Sequence, residues 1–458
     1  MNIYERMALP QDYKAAFKDA DIRGVHPTQI DEALTYRVAR AFVSEYNYKK
    51  VLVARDMRIS SPKLHKAFVA GVTDAGADVV DLGLVGTPAL YFASGTYNLP
   101  GVVITASHNP KEYNGLKLVE PQGIPLTEKF GLGQLRKRVE TQTYKKTKRK
   151  GAVSKKKILQ EYKKYLHTFT DIDTSRNVKI VVDAGNGMGC TLAPILEKGL
   201  PIDVIPLFFE MDGTFPNRAS NPTLAKNQKP VIAAIKKERP DFGAAFDGDI
   251  DRVAFFDEKG KYINSAIIGA LIAKYQLTRG IAKKFIYTNF TSKSYYDVIV
   301  DNGGKAYRAR VGHAFIKRMM RDKDVGFACE HSAHFYFRNN FYTDSGIITL
   351  LRVSEIVANG MKEGKTLSQL IKPLDTYFQT EEILVKVPDK KAALLAVEKY
   401  FKKKPISKDN FDGLRMEYED VWFVVKKSVT EDALKFVVES PSKKRALEVQ
   451  KEILKVLS

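Results

Sequence analysis

Cysteine is almost absent from this 458-residue chain. Only Cys190 and Cys329 occur, so no disulfide framework beyond one bridge is possible, and a reducing cytosol is the natural setting. Long apolar runs are missing too: the longest near-uninterrupted one, Ala266–Ala273, stops at Lys274, far short of a span of about 20 residues. The opening MNIYERMALPQDYK has no apolar h-region, so no secretory signal is expected. None of the glycine patterns makes a dinucleotide or P-loop site, which argues against a bound nucleotide. The expected location is cytoplasmic, with no membrane partner.

Acidic residues are in deficit, 53 Asp and Glu against 74 Lys and Arg, for a formal charge of +21. The densest basic segment, KKTKRKGAVSKKK at 145–157, carries eight basic residues but lacks interleaved aromatics and any nucleic-acid motif. It reads as a solvated linker, and no nucleic-acid partner is expected. The general positive field remains suited to drawing in anionic substrates.

With 44% hydrophobic and 28% charged residues the composition is that of a globular protein, and the length suggests about three or four domains. From about Phe42 to Leu118, strand-like KKVLVARD and ADVVDLG flank a segment of helical spacing, Ser61–Ala75. Such alternation predicts a mostly parallel sheet covered by helices. The rhythm restarts with NVKIVVDAGNGMG, a helix expected from about Thr191, and the short strand Asp241–Phe246. It starts a third time with KKFIYTNF, Lys305–Arg310 and a helix near His313–Arg321. The remainder differs: Glu382–Val387, Leu414–Tyr418, Val421–Lys426 and Lys435–Glu439 are strand-like, with a helix between the first two. A last helix places Ala446, Val449, Ile453 and Leu457 on one face.

Four short stretches carry chemistry. In Asp247-Gly-Asp-Ile-Asp251-Arg252, an extended backbone would put three carboxylates on one face, enough for one hard cation such as Mg²⁺. The spacing imitates an EF-hand loop, but Arg252 stands where that loop needs glycine, and strand-like segments flank it. ITASHNPKEYNG (104–115) follows an apolar strand; its Ser107 is either part of an ordinary Asn-Pro turn or a nucleophile with His108 and Lys117 nearby. There is no Gly-x-Ser-x-Gly elbow to support a hydrolase. Glu330-His-Ser-Ala-His334 sets a carboxylate and a hydroxyl one residue apart, suited to neighbouring sugar hydroxyls, although a polar turn explains it as well; zinc lacks a ligand set. Lys426-Lys-Ser-Val-Thr-Glu431, with Lys435, offers cations and hydroxyls for a phosphate, though exposed lysines are ordinary in this chain.

Together these residues resemble the α-D-phosphohexomutases, closest to the bacterial phosphomannomutase/phosphoglucomutase group. The landmarks are FKDADIRG (17–24), ITASHNPKEYNGLK (104–117), VVDAGNGMG (181–189), DGTFPN (212–217), FDGDIDR (246–252), GH (312–313), EHSAH (330–334) and KKSVTE (426–431). The resemblance runs from Phe17 to the C-terminus. It implies an α/β fold of three consecutive α/β domains with mixed, mostly parallel sheets plus a C-terminal α+β domain, heart-shaped around a central cleft. The expected domains are 1–150, 151–257, 258–372 and 373–458, supplying a phosphoserine loop, a metal loop, a sugar loop and a phosphate loop respectively. By the same resemblance Ser107 is the phosphoserine, and Ser107, Asp247, Asp249 and Asp251 hold one Mg²⁺. His108, Lys117 and Arg252 stand at the reaction centre, Lys117 as an acid/base, with His334 as a second proton-transfer group. Arg23, His313, Glu330, Ser332, Lys426, Ser428 and Thr430 bind substrate.

The implied activity interconverts hexose 1-phosphate and 6-phosphate through a hexose 1,6-bisphosphate, with mannose and glucose phosphates as substrates and a monomer or dimer as the assembly. Phosphoglucosamine mutase and a catalytically weakened phosphosugar-binding relative are the alternatives. They stand because the chain departs from its kin: Ala20 where an aromatic is common, Phe290 where a cation is common, His331 for the usual Met, and Lys426 and Val429 in the closing loop. Lysine keeps the charge of arginine but loses its bidentate fork.

Overall fold

The computed structural model describes residues 2–145, 147–196, 199–401, 403–428 and 433–457. Two compact units emerge: Met1–Ile263 with Lys317–Asp324 and Ser332–Ser368, and Asn264–Ile316 with Val325–His331 and Gln369–Ser458.

In the first unit, the run KVLVAR forms the strand Lys50–Arg55, whose Val51–Ala54 are wholly buried. A strand apolar on both faces belongs inside a helix-covered sheet. It pairs in parallel with Asp78–Leu84 and Gly101–Ile104, as the strand–helix alternation predicts. The connecting helix Ser61–Asp74 packs on the helix Glu32–Tyr46, whose N-cap Asp31 accepts from the Leu34 N–H at 2.8 Å. Two antiparallel additions make the sheet mixed. Tyr113–Glu120 folds back on Gly101–Ile104 with Val103 opposite Lys117, and Ile22–Val25 pairs with Tyr113–Leu116. The stretch ITASHNP is therefore the turn between two central strands. At the far edge Val153–Lys155 joins Asp78–Leu84, so the basic segment, although exposed, is tied to the sheet.

A second sheet of five strands runs in the order Tyr262–Ile263, Val253–Phe256, Phe242–Phe246, Val178–Asp183, Ile202–Leu207. Phe242–Phe246 and Val253–Phe256 are antiparallel neighbours, and FDGDIDR is the hairpin loop between them. Strands rather than helices flank it, which removes the EF-hand reading. The helix expected from about Thr191 begins at Ala193 and is described as far as Leu196, the next two residues lying outside the described ones.

The second unit contains three parallel strands, Lys305–Ala309, Lys284–Thr288 and Phe327–Cys329. It also holds an antiparallel six-stranded sheet built on Ala433–Ser440, Trp422–Lys427, Leu414–Glu417 and Ser407–Asp409, with Phe378–Gln379 and Ile383–Lys386 both pairing to Ala433–Ser440. The helix Lys443–Leu457 covers this sheet and buries Ala446, Val449, Ile453 and Leu457, the predicted face. Ile453→Ala is expected to lower stability by roughly 2–5 kcal/mol, the usual range for emptying a closed core site, read as a shift in a urea unfolding curve.

Candidate active site

The turn after Gly101–Ile104 presents Ser107 in an uncommon way. Its φ is +50°, a left-handed conformation that a non-glycine residue holds only when its surroundings enforce it. The Ser107 N–H donates to Thr105 Oγ1 at 3.0 Å, and its carbonyl accepts from Ser220 Oγ and from Arg58 Nη2, each at 2.9 Å. The hydroxyl, in a residue only 1% exposed, donates to Asp247 Oδ2 at 2.7 Å. His108 Nδ1 lies 3.4 Å from the Ser107 Oγ.

The three aspartates do converge, but by a turn rather than along an extended strand. Ile250 sits at φ +61°, and its N–H donates to the Asp247 carbonyl at 3.3 Å. Oxygens of Asp247, Asp249 and Asp251 lie within 4.8 Å of one another, all three side chains buried. Lys117, on the strand beside the serine turn, spans two of them, with Nζ 2.7 Å from Asp249 Oδ2 and 2.5 Å from Asp251 Oδ2. Thr87, at the start of the helix Thr87–Tyr97, donates its hydroxyl to Asp249 at 2.5 Å and its N–H to the Asp249 carbonyl at 3.1 Å. Gly248 fits because it has no side chain: a Cβ there would lie 2.7 Å from both the Ser107 carbonyl and Ser220 Oγ.

These charges set one another. Burial, then repulsion from Asp249 and Asp251, pushes the Asp247 carboxyl well above the carboxylate range. Burial alone would raise Asp249 too, but attraction to Lys117 and the hydrogen bonds from Lys117 and Thr87 hold it below. Burial alone would lower Lys117; Asp249 and Asp251 outweigh that and keep the ammonium charged. His108 is driven well below 6.5 by burial and by the cations Arg252 and Arg23, which leaves its ring neutral. Arg252 stands 3.9 Å from Asp247 and 4.0 Å from Asp251. Arg23 donates to Asn109 Oδ1 at 2.8 Å and pairs with Asp21.

The donor set fits a divalent cation. Asp249 Oδ1 and Asp251 Oδ1 are buried without a hydrogen-bond partner among the described residues, and every donor is a hard oxygen. A second cluster, Asp251, His334 and Asp344, is equally close but arranged differently. Asp344 is pinned between His334 Nδ1 at 2.7 Å and the buried Lys317 Nζ at 2.7 Å, and Lys317 also donates to the Tyr91 hydroxyl at 2.8 Å. This cluster anchors the His334 ring. Ser332 is half-buried two residues earlier, next to Ala333, whose carbonyl accepts from the Val253 N–H at 3.3 Å.

The structure thus brings together Arg23, Ser107, His108, Lys117, Asp247, Asp249, Asp251, Arg252, Ser332 and His334 in the first unit. His313, Glu330, Lys426 and Ser428 belong to the second unit, where Glu330 and, through Asp412, Lys426 are tied to the backbone of Gly312 and Val311. Glu330 Oε1 accepts from the Gly312 N–H at 3.0 Å, beside His313, and Asp412 accepts from the Val311 N–H at 2.9 Å and from Lys426 Nζ at 2.6 Å. Ser428 is buried, and Val429 and Thr430 lie outside the described residues. His331 is lowered below its usual value chiefly by burial, and its Nδ1 lies 3.2 Å from Gln379 Oε1. Arg58, Thr87, Lys317, Asp344 and Asp412 were not legible as site residues, since each meets partners far away in sequence and carries no local pattern.

Models of the phosphoglucomutase/phosphomannomutase α/β/α domains I, II and III and of the C-terminal domain match residues 14–146, 160–260, 264–377 and 382–456. A Xanthomonas campestris protein described as phosphohexose mutases is 34% identical over 446 residues, 97% of this chain and 98% of that one. The chain belongs to the phosphoglucomutase/phosphomannomutase family. Escherichia coli phosphomannomutase is 34% identical over 93% of this chain and 94% of its own. A solved phosphoglucomutase/phosphomannomutase family protein from Burkholderia thailandensis superposes with a TM-score of 0.88 at 30% identity, covering 97% of each chain. The four family domains and the mixed α/β sheets agree with the expected fold class, and the chain is a phosphohexomutase, an intramolecular phosphotransferase of the isomerase class. No helix among the described residues is long and apolar enough to cross a membrane.

Asp344→Ala is expected to cost roughly 3–5 kcal/mol, because it strands the fully buried Lys317 without its counter-charge. Urea unfolding checks this, with Lys317→Met in the same background recovering part of the loss.

Proposed function

We propose that the chain interconverts hexose 1-phosphate and hexose 6-phosphate through a phosphoserine at Ser107, acting on mannose and glucose phosphates. The observation that carries this reading is the Ser107 hydroxyl held 2.7 Å from Asp247 inside a cluster of three carboxylates. An isolated turn serine has no use for such a neighbour. A serine that carries phosphate beside a divalent cation does.

In this reading Asp247, Asp249 and Asp251, with the serine phosphate, hold one Mg²⁺, which when bound offsets charge on the group being transferred. The residues do the rest. A sugar hydroxyl attacks the phosphorus of phospho-Ser107; the new P–O bond forms as the bond to the serine oxygen breaks. His334, its ring oriented by Asp344, takes the hydroxyl proton, and Lys117 gives a proton to the serine oxygen. The product is a hexose 1,6-bisphosphate. It turns over, and its other phosphate returns to Ser107 by the reverse chemistry. Arg252, Arg23 and the neutral His108 steady the phosphoryl oxygens. Glu330, Ser332 and His313 read sugar hydroxyls, while Lys426, Ser428 and Thr430 grip the phosphate that does not react. The domain limits 1–150, 151–257, 258–372 and 373–458 belong to the same proposal, each domain supplying one loop, as do a cytoplasmic location and a monomer or dimer.

Ser107→Ala is expected to bring turnover to background in a coupled assay with bisphosphate activator, while near-parent turnover sinks the phosphoserine reading. The same assay run on mannose, glucose and glucosamine 1-phosphates separates the subfamilies: a glucosamine preference selects phosphoglucosamine mutase. Tight sugar-phosphate binding without transfer marks a weakened, binding-only relative. For the metal, added Mg²⁺ is expected to raise the melting temperature of the parent chain, and Asp249→Asn to abolish that rise.

A further inference from the structure

Arg58 is fully buried, at 0% exposure, and lies outside every motif that marks the family in this sequence. All of its donors face the serine turn or its support. Nη1 donates to the carbonyls of Pro110 at 2.7 Å and Tyr113 at 3.0 Å, and Nη2 to those of Ser107 at 2.9 Å and Asn109 at 2.7 Å. Nε faces Asp56 Oδ2 at 3.3 Å. Asp56 is itself fixed by the Arg58 N–H at 3.0 Å and by Ser61 Oγ at 2.5 Å, and the guanidinium lies over the Phe215 ring at 5.1 Å.

Burying a guanidinium is costly, and four backbone carbonyls with one carboxylate make up an expensive pocket if its only use is to close a turn. The direction of the carbonyls shows what it achieves. Four carbonyls drawn onto one cation pin the turn that holds Ser107 at φ +50° and directs its hydroxyl to Asp247. The guanidinium is also close enough to interact with Asp249 and Asp247. Its charge therefore adds to the positive field behind the serine turn. Lysine cannot reproduce this, since a point charge with three donors does not span four carbonyls.

We propose that Arg58 is a positioning residue for phosphoryl transfer: by gathering the carbonyls of Ser107, Asn109, Pro110 and Tyr113 it sets the Ser107 oxygen in line for the reaction. The inference rests on the reading of Ser107 as the phosphorylated serine. It requires no contact between Arg58 and substrate. Its effect falls on the rate of transfer and leaves the grip on the sugar phosphate alone.

The test uses the full chain and ³²P-labelled glucose 1,6-bisphosphate, reading both the fraction of chains labelled and the rate of labelling per competent chain. For Arg58→Lys, labelling rate and kcat are expected to fall about 10²-fold, the scale of a small misplacement of reacting atoms. KM for sugar monophosphate stays within about threefold of the parent, the pattern of an interaction lost in the transition state rather than in binding. In Arg58→Ala, added guanidinium chloride at non-denaturing concentration restores part of the rate, and equal sodium chloride does not. A merely structural role predicts fewer competent chains, each labelling at the parent rate, and that result overturns the proposal. Should the Arg58 variants fail to fold, Asp56→Asn carries the test. It keeps an acceptor for the Arg58 N–H but removes the charge that anchors Nε, so a smaller loss of the same kind supports the proposal and a parent-like rate overturns it. An unlabelled parent overturns the Ser107 reading and this inference together. A labelled parent with an equally fast Arg58→Lys overturns this inference alone.

Discussion

Three carboxylates buried in one five-residue loop form the constraint on which the rest of the structure depends. Asp247, Asp249 and Asp251 are at most 1% exposed, and each buried ion costs several kcal/mol unless opposed. The first sheet supplies the opposition: Lys117 from one strand, the Thr87 hydroxyl from a helix start and the Ser107 hydroxyl from the intervening turn. Neither the serine turn nor the aspartate loop is complete alone. The charge that makes the aspartate loop suitable for a cation also fixes the Ser107 hydroxyl beside it.

Both loops sit at strand ends of central, buried sheets, and both take up backbone conformations that their own residues do not favour. Ser107 and Ile250 are left-handed, and Gly248 must stay without a Cβ because the serine turn passes so close. Supporting side chains hold these positions from behind. Arg58 gathers the carbonyls of the serine turn, and Arg218 joins Asp183 at 2.7 Å to the Phe246 carbonyl at 2.8 Å beneath the aspartate loop. Such buried cations stiffen a site because their terminal donors are committed to fixed backbone and side-chain oxygens. The His334–Asp344–Lys317 arrangement repeats the device, with a buried carboxylate orienting an imidazole and a buried ammonium balancing the carboxylate.

Periodicity made the scaffold legible. KVLVAR, FGAAF and the face Ala446, Val449, Ile453 and Leu457 are local patterns, and burial against a sheet is what they encode. The helix expected from about Thr191 begins at Ala193. Within the site, clustered chemistry such as TASHNP and DGDIDR could be read because several unusual residues stand side by side. The reason given for the aspartates was wrong in one respect: a turn at Ile250, not an extended strand, brings the carboxylates together. Arg58 escaped notice because its partners are backbone carbonyls, which have no sequence signature. Lys317 stands in a helix with no local pattern to mark it, and Asp344 lies ten residues beyond His334.

By itself the sequence determined the α/β rounds, the antiparallel C-terminal sheet with its covering helix, and the family, through residues whose types and spacing are local. Only the tertiary structure decided the electrostatics of the site: which aspartate is pushed toward its neutral form, which lysine stays charged, and where the serine hydroxyl points. Those outcomes depend on distances such as 2.7 Å between groups more than a hundred residues apart. At that range burial multiplies every charge interaction, and no local pattern in the chain specifies it.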